Sequence, residues 1–242
     1  TLSGERNLAC RTREIFIGSG ARVEMVESCR LNARSSLISA SYARQQGDSV
    51  LHGVSVGLSA GLMRNEQTVL LEGRGAENHT NGLTIAGEQE HLDFATDIEH
   101  IASDCTSYQL FKGLAADGGT SVFSGRIYVA QDAQRTQAFQ QNNNLLLSDD
   151  AHVYAKPQLE IYADNVKCSH GSTVGQLNEQ ALFYMQQRGI SREEAQMLLK
   201  FAFAGEVIDA ISLEALRDRL HHLVEKRFRG ELSRCSGCKL CK

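Results

Sequence analysis

"GRIYVAQDAQRTQAFQQNNNLLLS", residues 125–148, sets two short apolar runs, "RIYVA" and "NLLLS", on either side of a polar stretch ending in the amides Gln140 to Asn144. Neither run has the spacing of an amphipathic helix, and both read as brief strands. The same grammar extends from Arg13 to about Val174. "EIFIG", "RVEMV", "SVLHGVSVG", "TVLLEG", "GLTIAG", "YQLFKG" and "LEIYA" are each followed by Gly, Asn, Asp or Ser. No helical pattern of about ten residues or more interrupts them, which excludes βαβ winding. An antiparallel sandwich or barrel and a parallel β-helix remain.

Turn chemistry favours the β-helix. A sandwich needs many tight two-residue turns, yet "NG" occurs only at Asn81-Gly82 and "DG" only at Asp117-Gly118. Solenoid coils turn on single polar residues and stack like side chains in successive turns, which suits "QQNNN" unless that run is a polar loop. A single proline fits long hydrogen-bonded ladders, because proline supplies no N–H. No repeat of fixed period is visible.

From Asn178 the text becomes helical. Asn178 can cap a helix carrying Leu182, Phe183 and Met185 that ends at Gly189. Ser191 and Glu194 form a capping box for "AQMLLKFAFAG". After Ser212, Leu213, Leu216, Leu220, Leu223 and Val224 make one stripe, stopped by Gly230. The expected organisation is a β core over residues 1–175, a helical C-terminal domain over 176–230, and a Cys-rich, flexible tail over 231–242.

The chain has 242 residues, a net charge of −4 and no Lys/Arg cluster, which argues against nucleic acid as a partner. No apolar run approaches the roughly 18 residues that span a bilayer, so no membrane partner is expected. Seven scattered cysteines do not resemble a secreted disulfide framework, and a reducing cytoplasm is the expected compartment. The first residue is Thr1 in strand-like text, so the expectation is a piece of a longer chain.

Candidate chemistry lies in two places. In "NVKCSHG", an extended backbone would put Val166, Cys168 and His170 on one face. Thiolate and imidazole are zinc and iron ligands, and two on one strand are half a site. The plain alternative is a buried small Cys beside a surface His. In the tail, Cys235, Cys238 and Cys241 have the spacing that opens a ferredoxin-type run, as extra metal thiols or as thiols with no role. Cys10, Cys29 and Cys105 read as core residues, and one of His221 and His222 is expected to face solvent. There is no GxxxxGK[ST], GxSxG or HExxH.

Residues 106–190 carry a resemblance. "VFSG", "AQRTQAFQ", "NLLLS", "CSHGSTVG" and "ALFYMQQRGI", in this order, closely resemble the SufB/SufD family of iron–sulfur cluster assembly proteins, and "CSHG" resembles the SufD branch. The resemblance implies a right-handed parallel β-helix followed by a small α-helical C-terminal domain. It implies a subunit with no activity of its own, paired with a SufB-like paralogue and gripped at its helices by a SufC-like ABC ATPase. It assigns His170 as the cluster or iron ligand and Cys168 as its neighbour, with iron or a cluster bound transiently and no permanent cofactor. The expected ATPase docking surface is the helix around Leu198, Phe201 and Phe203. The alternatives are a β-helical carbohydrate-active enzyme or acyltransferase, and a homodimer that stores iron through His170 and the tail cysteines.

Overall fold

The computed structural model describes residues 6–232. Twelve strands precede three helices: β1 (Leu8–Ile17), β2 (Arg22–Arg30), β3 (Ser36–Gln45), β4 (Val50–Ser59), β5 (Leu62–Leu71), β6 (Glu77–Ala86), β7 (His91–His100), β8 (Thr106–Ala115), β9 (Thr120–Val129), β10 (Gln137–Leu146), β11 (His152–Ile161), β12 (Lys167–Gly175), α1 (Glu179–Gln187), α2 (Arg192–Ile208) and α3 (Glu214–Phe228). Odd strands form one sheet and even strands another, in sequence order, and the strands pair in parallel. Each turn of the chain lays one strand on each sheet. This is a parallel β-helix of six turns.

Why no period shows in the sequence follows from the register. Partners lie 26 residues apart at Ser36 and Leu62 but 32 apart at Thr120 and His152. Turn lengths vary while strand lengths stay near ten residues. Two strands, β3 "SLISASYARQ" and β7 "HLDFATDIEH", carry no apolar run that marks them. In β3 the buried positions are taken by Ser39, Ala43 and Gln45.

The corners stack as the strands do. Asp48 N donates to Arg74 O, Gly75 N to Ser103 O and Asp104 N to Gln134 O, each bond joining one corner to the next. Asp117 and Gly118, with φ of 51° and 73°, form a left-handed corner between β8 and β9. Asn81-Gly82 is no turn; it lies inside β6. There Gly82 is needed for space, because a Cβ would meet Phe111 Cδ1 at 2.3 Å. Phe111 stacks on Phe123 with centroids 4.6 Å apart and meets Phe94 edge-on at 5.4 Å, the centre of one core cluster.

Much of the interior is polar. "QQNNN" lies in β10, with Gln140, Asn142 and Asn144 buried, so it is a strand of the stack rather than a loop. Gln140 is opposite Gln109, a like pair in successive turns. Gln109 accepts from Thr96 Oγ1 at 2.9 Å, Gln67 donates to Ser55 Oγ at 2.8 Å, and Thr84 and Ser121 hydroxyls lie 2.7 Å apart. Hydrogen bonding makes such burial tolerable.

Among the described residues the chain divides into two compact units at Val174/Gly175. In the second, Asn178 Oδ1 accepts from the N–H of Gln180 and Ala181, and Ser191 Oγ from that of Glu194. Gly189 and Gly230 end helices with φ of 84° and 69°. Ala195, Met197, Ala204, Val207 and Ile208 of α2 are buried, as are Leu220 and Val224 of α3; Leu213 of the expected stripe is exposed and caps α3 without a side-chain bond. No helix among the described residues is long and apolar enough to cross a membrane.

Candidate functional site

β12 is the last strand of the even sheet and β11 the last of the odd sheet. The alignment of β12 on β10 is fixed by Lys167 N donating to Thr136 O, the bond that Gln137 N makes to Cys105 O one turn earlier. Thr173 Oγ1 to Asn143 at 3.0 Å and Ser172 Oγ to Asn142 at 3.4 Å keep the same alignment. Cys168 therefore lies beside Ala138, and His170 beside Gln140. Ala138 and Gln140 face the interior. Strand alternation gives Cys168 and His170 that same face on the last turn.

Their environments differ. Cys168 is half-buried and packs against the cluster of Ile127, Val129, Ala133, Ala138 and Ala163. Burial pushes its thiol above the usual range, opposed by a hydrogen bond to the Ala138 backbone. His170 is exposed. An imidazole in this position can present a ring nitrogen outward while its strand is held by the turn beneath. Among the described residues no group of three or more His, Cys, Asp or Glu side chains could hold a metal ion. The pair is a partial donor set, and a metal there would need ligands from elsewhere.

The remaining candidates are distributed over the chain. Cys235, Cys238 and Cys241 lie outside the described residues. Leu198 is exposed, whereas Phe201 and Phe203 are half-buried. Phe201 packs on His221, ring centroids 5.2 Å apart, and His221 Nε2 is 2.8 Å from Asp209 Oδ1; His222 is the exposed member of that pair. Cys29 and Cys105 are buried, and burial pushes the Cys29 thiol up to about 11. Cys10 is exposed, not a core residue: on the first turn's strand its side chain points outward, opposite Ile38, which is also exposed. Phe183, named above among the apolar residues of the first helix, is exposed, as is Tyr184 beside it, which the sequence reading passed over. That reading also gave no role to Gln140, whose signal was only the amide run.

The family model described as "SUF system FeS cluster assembly, SufBD core domain" matches residues 1–203. The chain belongs to this SufBD family. The SufBD match takes in the whole β-helix, α1 and most of α2. Iron–sulfur cluster assembly protein SufD of Escherichia coli is 39% identical over 173 residues, which are 72% of this chain and 41% of that protein. A SufBD family protein of Synechocystis is 37% identical over 218 residues, 88% of this chain and 47% of that protein. One of Mycobacterium leprae is 33% identical over 220 residues, 88% and 56%. The chain spans about half the length of these SufBD relatives.

Proposed function

We propose that this chain is a non-enzymatic subunit of the SUF iron–sulfur cluster assembly apparatus. Its role is to offer His170, with Cys168 beside it, as half of a site whose other donors come from a SufB-like partner. Iron or a nascent cluster is cargo at that site and is bound transiently. The observation that carries the reading is the placement of His170: exposed, on the last strand of a sheet, on the interior-facing side of a rigid stack. A stack of turns contacting only their neighbours fixes an end donor firmly, and a donor at an end is available to a second chain. Among the described residues the two donors stand without a third, an arrangement that suits shared ligation.

The helical unit is the docking element for a SufC-like ATPase in this reading, with Leu198 the exposed one of the three expected docking residues and Phe201 and Phe203 half-buried, Phe201 packed on His221. The compartment is the cytoplasm, where free thiols such as Cys10 and Cys168 stay reduced. The test is reconstitution of the complex with His170→Ala. The expected result is an intact fold and intact assembly with a loss of cluster formation; a normal cluster yield would overturn the reading. Capture of the SufB-like and ATPase partners with and without residues 176–242 tests the docking assignment, which predicts loss of the ATPase alone.

A further inference from the structure

We infer that Gln140 is a positioning residue for His170. Its amide oxygen accepts the ring N–H that faces the interior, and the outward nitrogen keeps its lone pair free for a metal ion. The inference rests on the reading of His170 as a donor.

Gln140 is 2% exposed, and neither its amide nitrogen nor its amide oxygen has a hydrogen-bond partner. Buried side-chain amides left wholly unpaired are uncommon in folded proteins. The surroundings narrow what can pair with it. Across the interior, Gln140 Nε2 lies against Gly125, where a Cβ would stand 2.4 Å away, and Gly125 has no side chain to offer. The residue opposite Gly125 on the last turn is Pro157, which has no N–H. One turn back stands Gln109, whose oxygen is used by Thr96 and whose Nε2 is also unpaired. One turn forward, in the same inward-facing row, stands His170.

Neighbouring strands lie about 4.8 Å apart, within the reach of a glutamine amide. A carbonyl oxygen has two lone pairs, so Gln140 Oε1 can accept from Gln109 Nε2 below and from the imidazole above. A row then forms in which Thr96 donates to Gln109, Gln109 to Gln140, and His170 to Gln140. Histidines that bind metal commonly give their second ring N–H to such an acceptor, which fixes tautomer and ring orientation.

The test uses the full chain labelled with 15N-histidine, without metal, so that it does not depend on cluster chemistry. One neutral tautomer of His170 is expected to dominate in the unmodified protein. Gln140→Met, similar in length and without an acceptor, should leave the chain folded with a mixture of tautomers. Gln140→Glu, which keeps an acceptor oxygen, should restore the single tautomer. Unchanged tautomer populations in folded Gln140→Met would overturn the inference. Cobalt(II) binding by the complex with the SufB-like partner then separates it from the donor reading: Gln140→Met should weaken binding about 10- to 100-fold, and His170→Ala should abolish it. A tautomer shift with binding unaffected by His170→Ala supports the pairing and sinks the donor reading.

Discussion

His100 Nε2 lies 2.8 Å from Ser107 Oγ, across the corner that joins β7 to β8, and both residues are fully buried. The other ring nitrogen has no partner. Burial lowers the pKa of this histidine to about 4, from an ordinary 6.5.

That pair makes stability depend on pH. The folded state holds the ring neutral, and the unfolded chain takes up a proton below about pH 6.5. The contribution is therefore fully present above pH 6.5 and is lost as pH falls toward 4, to a total of about 3 kcal/mol. Urea unfolding at pH 7 and pH 4.5 should show the loss in the unmodified chain. His100→Gln should flatten that part of the profile, and an unchanged slope would remove His100 as its source.

Gly82→Ala should destabilise the β-helix by about 1–3 kcal/mol, the usual result of overpacking, because the new methyl would meet Phe111 at 2.3 Å. Phe111→Leu should relieve part of that cost. Thermal unfolding of the single and double variants gives the coupling; strict additivity would mean that the ring is not what opposes the methyl.

At the corner after β5, a Cβ on Gly73 would stand 1.9 Å from Gly47 N, which is backbone and cannot rotate away. Gly73→Ala should therefore cost more than Gly82→Ala. Comparing their denaturation midpoints decides between the two.

The Cys168 thiol, raised by burial, should alkylate slowly at neutral pH. Peptide-resolved iodoacetamide labelling should show its rate still climbing above pH 9, the ordinary thiol value. Addition of cobalt(II) should slow it further if the metal takes the thiolate. A rate that levels off below pH 9 would contradict a desolvated thiol.

Asn178→Ala should cost about 1 kcal/mol and loosen α1, since Asn178 Oδ1 serves two backbone N–H groups there. Asn178→Asp should keep most of the cap. Amide exchange in residues 179–187 reports the difference.

Strands that carry an apolar run were plain in the sequence, as "RIYVA" and "GLTIAG" became parts of β9 and β6. β3 was not, because its buried positions are small or polar, and only the turns on either side give them an apolar or hydrogen-bonded setting. The helix starts at Asn178 and Ser191 were legible because capping is local chemistry. Cys168 and His170 could be placed on one face by alternation alone, but the register that sets His170 beside Gln140 spans thirty residues, a whole strand and two corners. No local pattern encodes it. The outward position of Cys10 was hidden for the same reason.

The stacked turns also act as a ruler. Each adds one strand spacing, about 4.8 Å, along the axis, and the register repeats cleanly from Leu62 to His91. Excising residues 62–90 would remove one graduation and carry the imidazole at position 170 nearer the first turn by that single step. Distance between the chain's opening strand and its terminal donor is thus set in whole units, by how many coils the gene encodes.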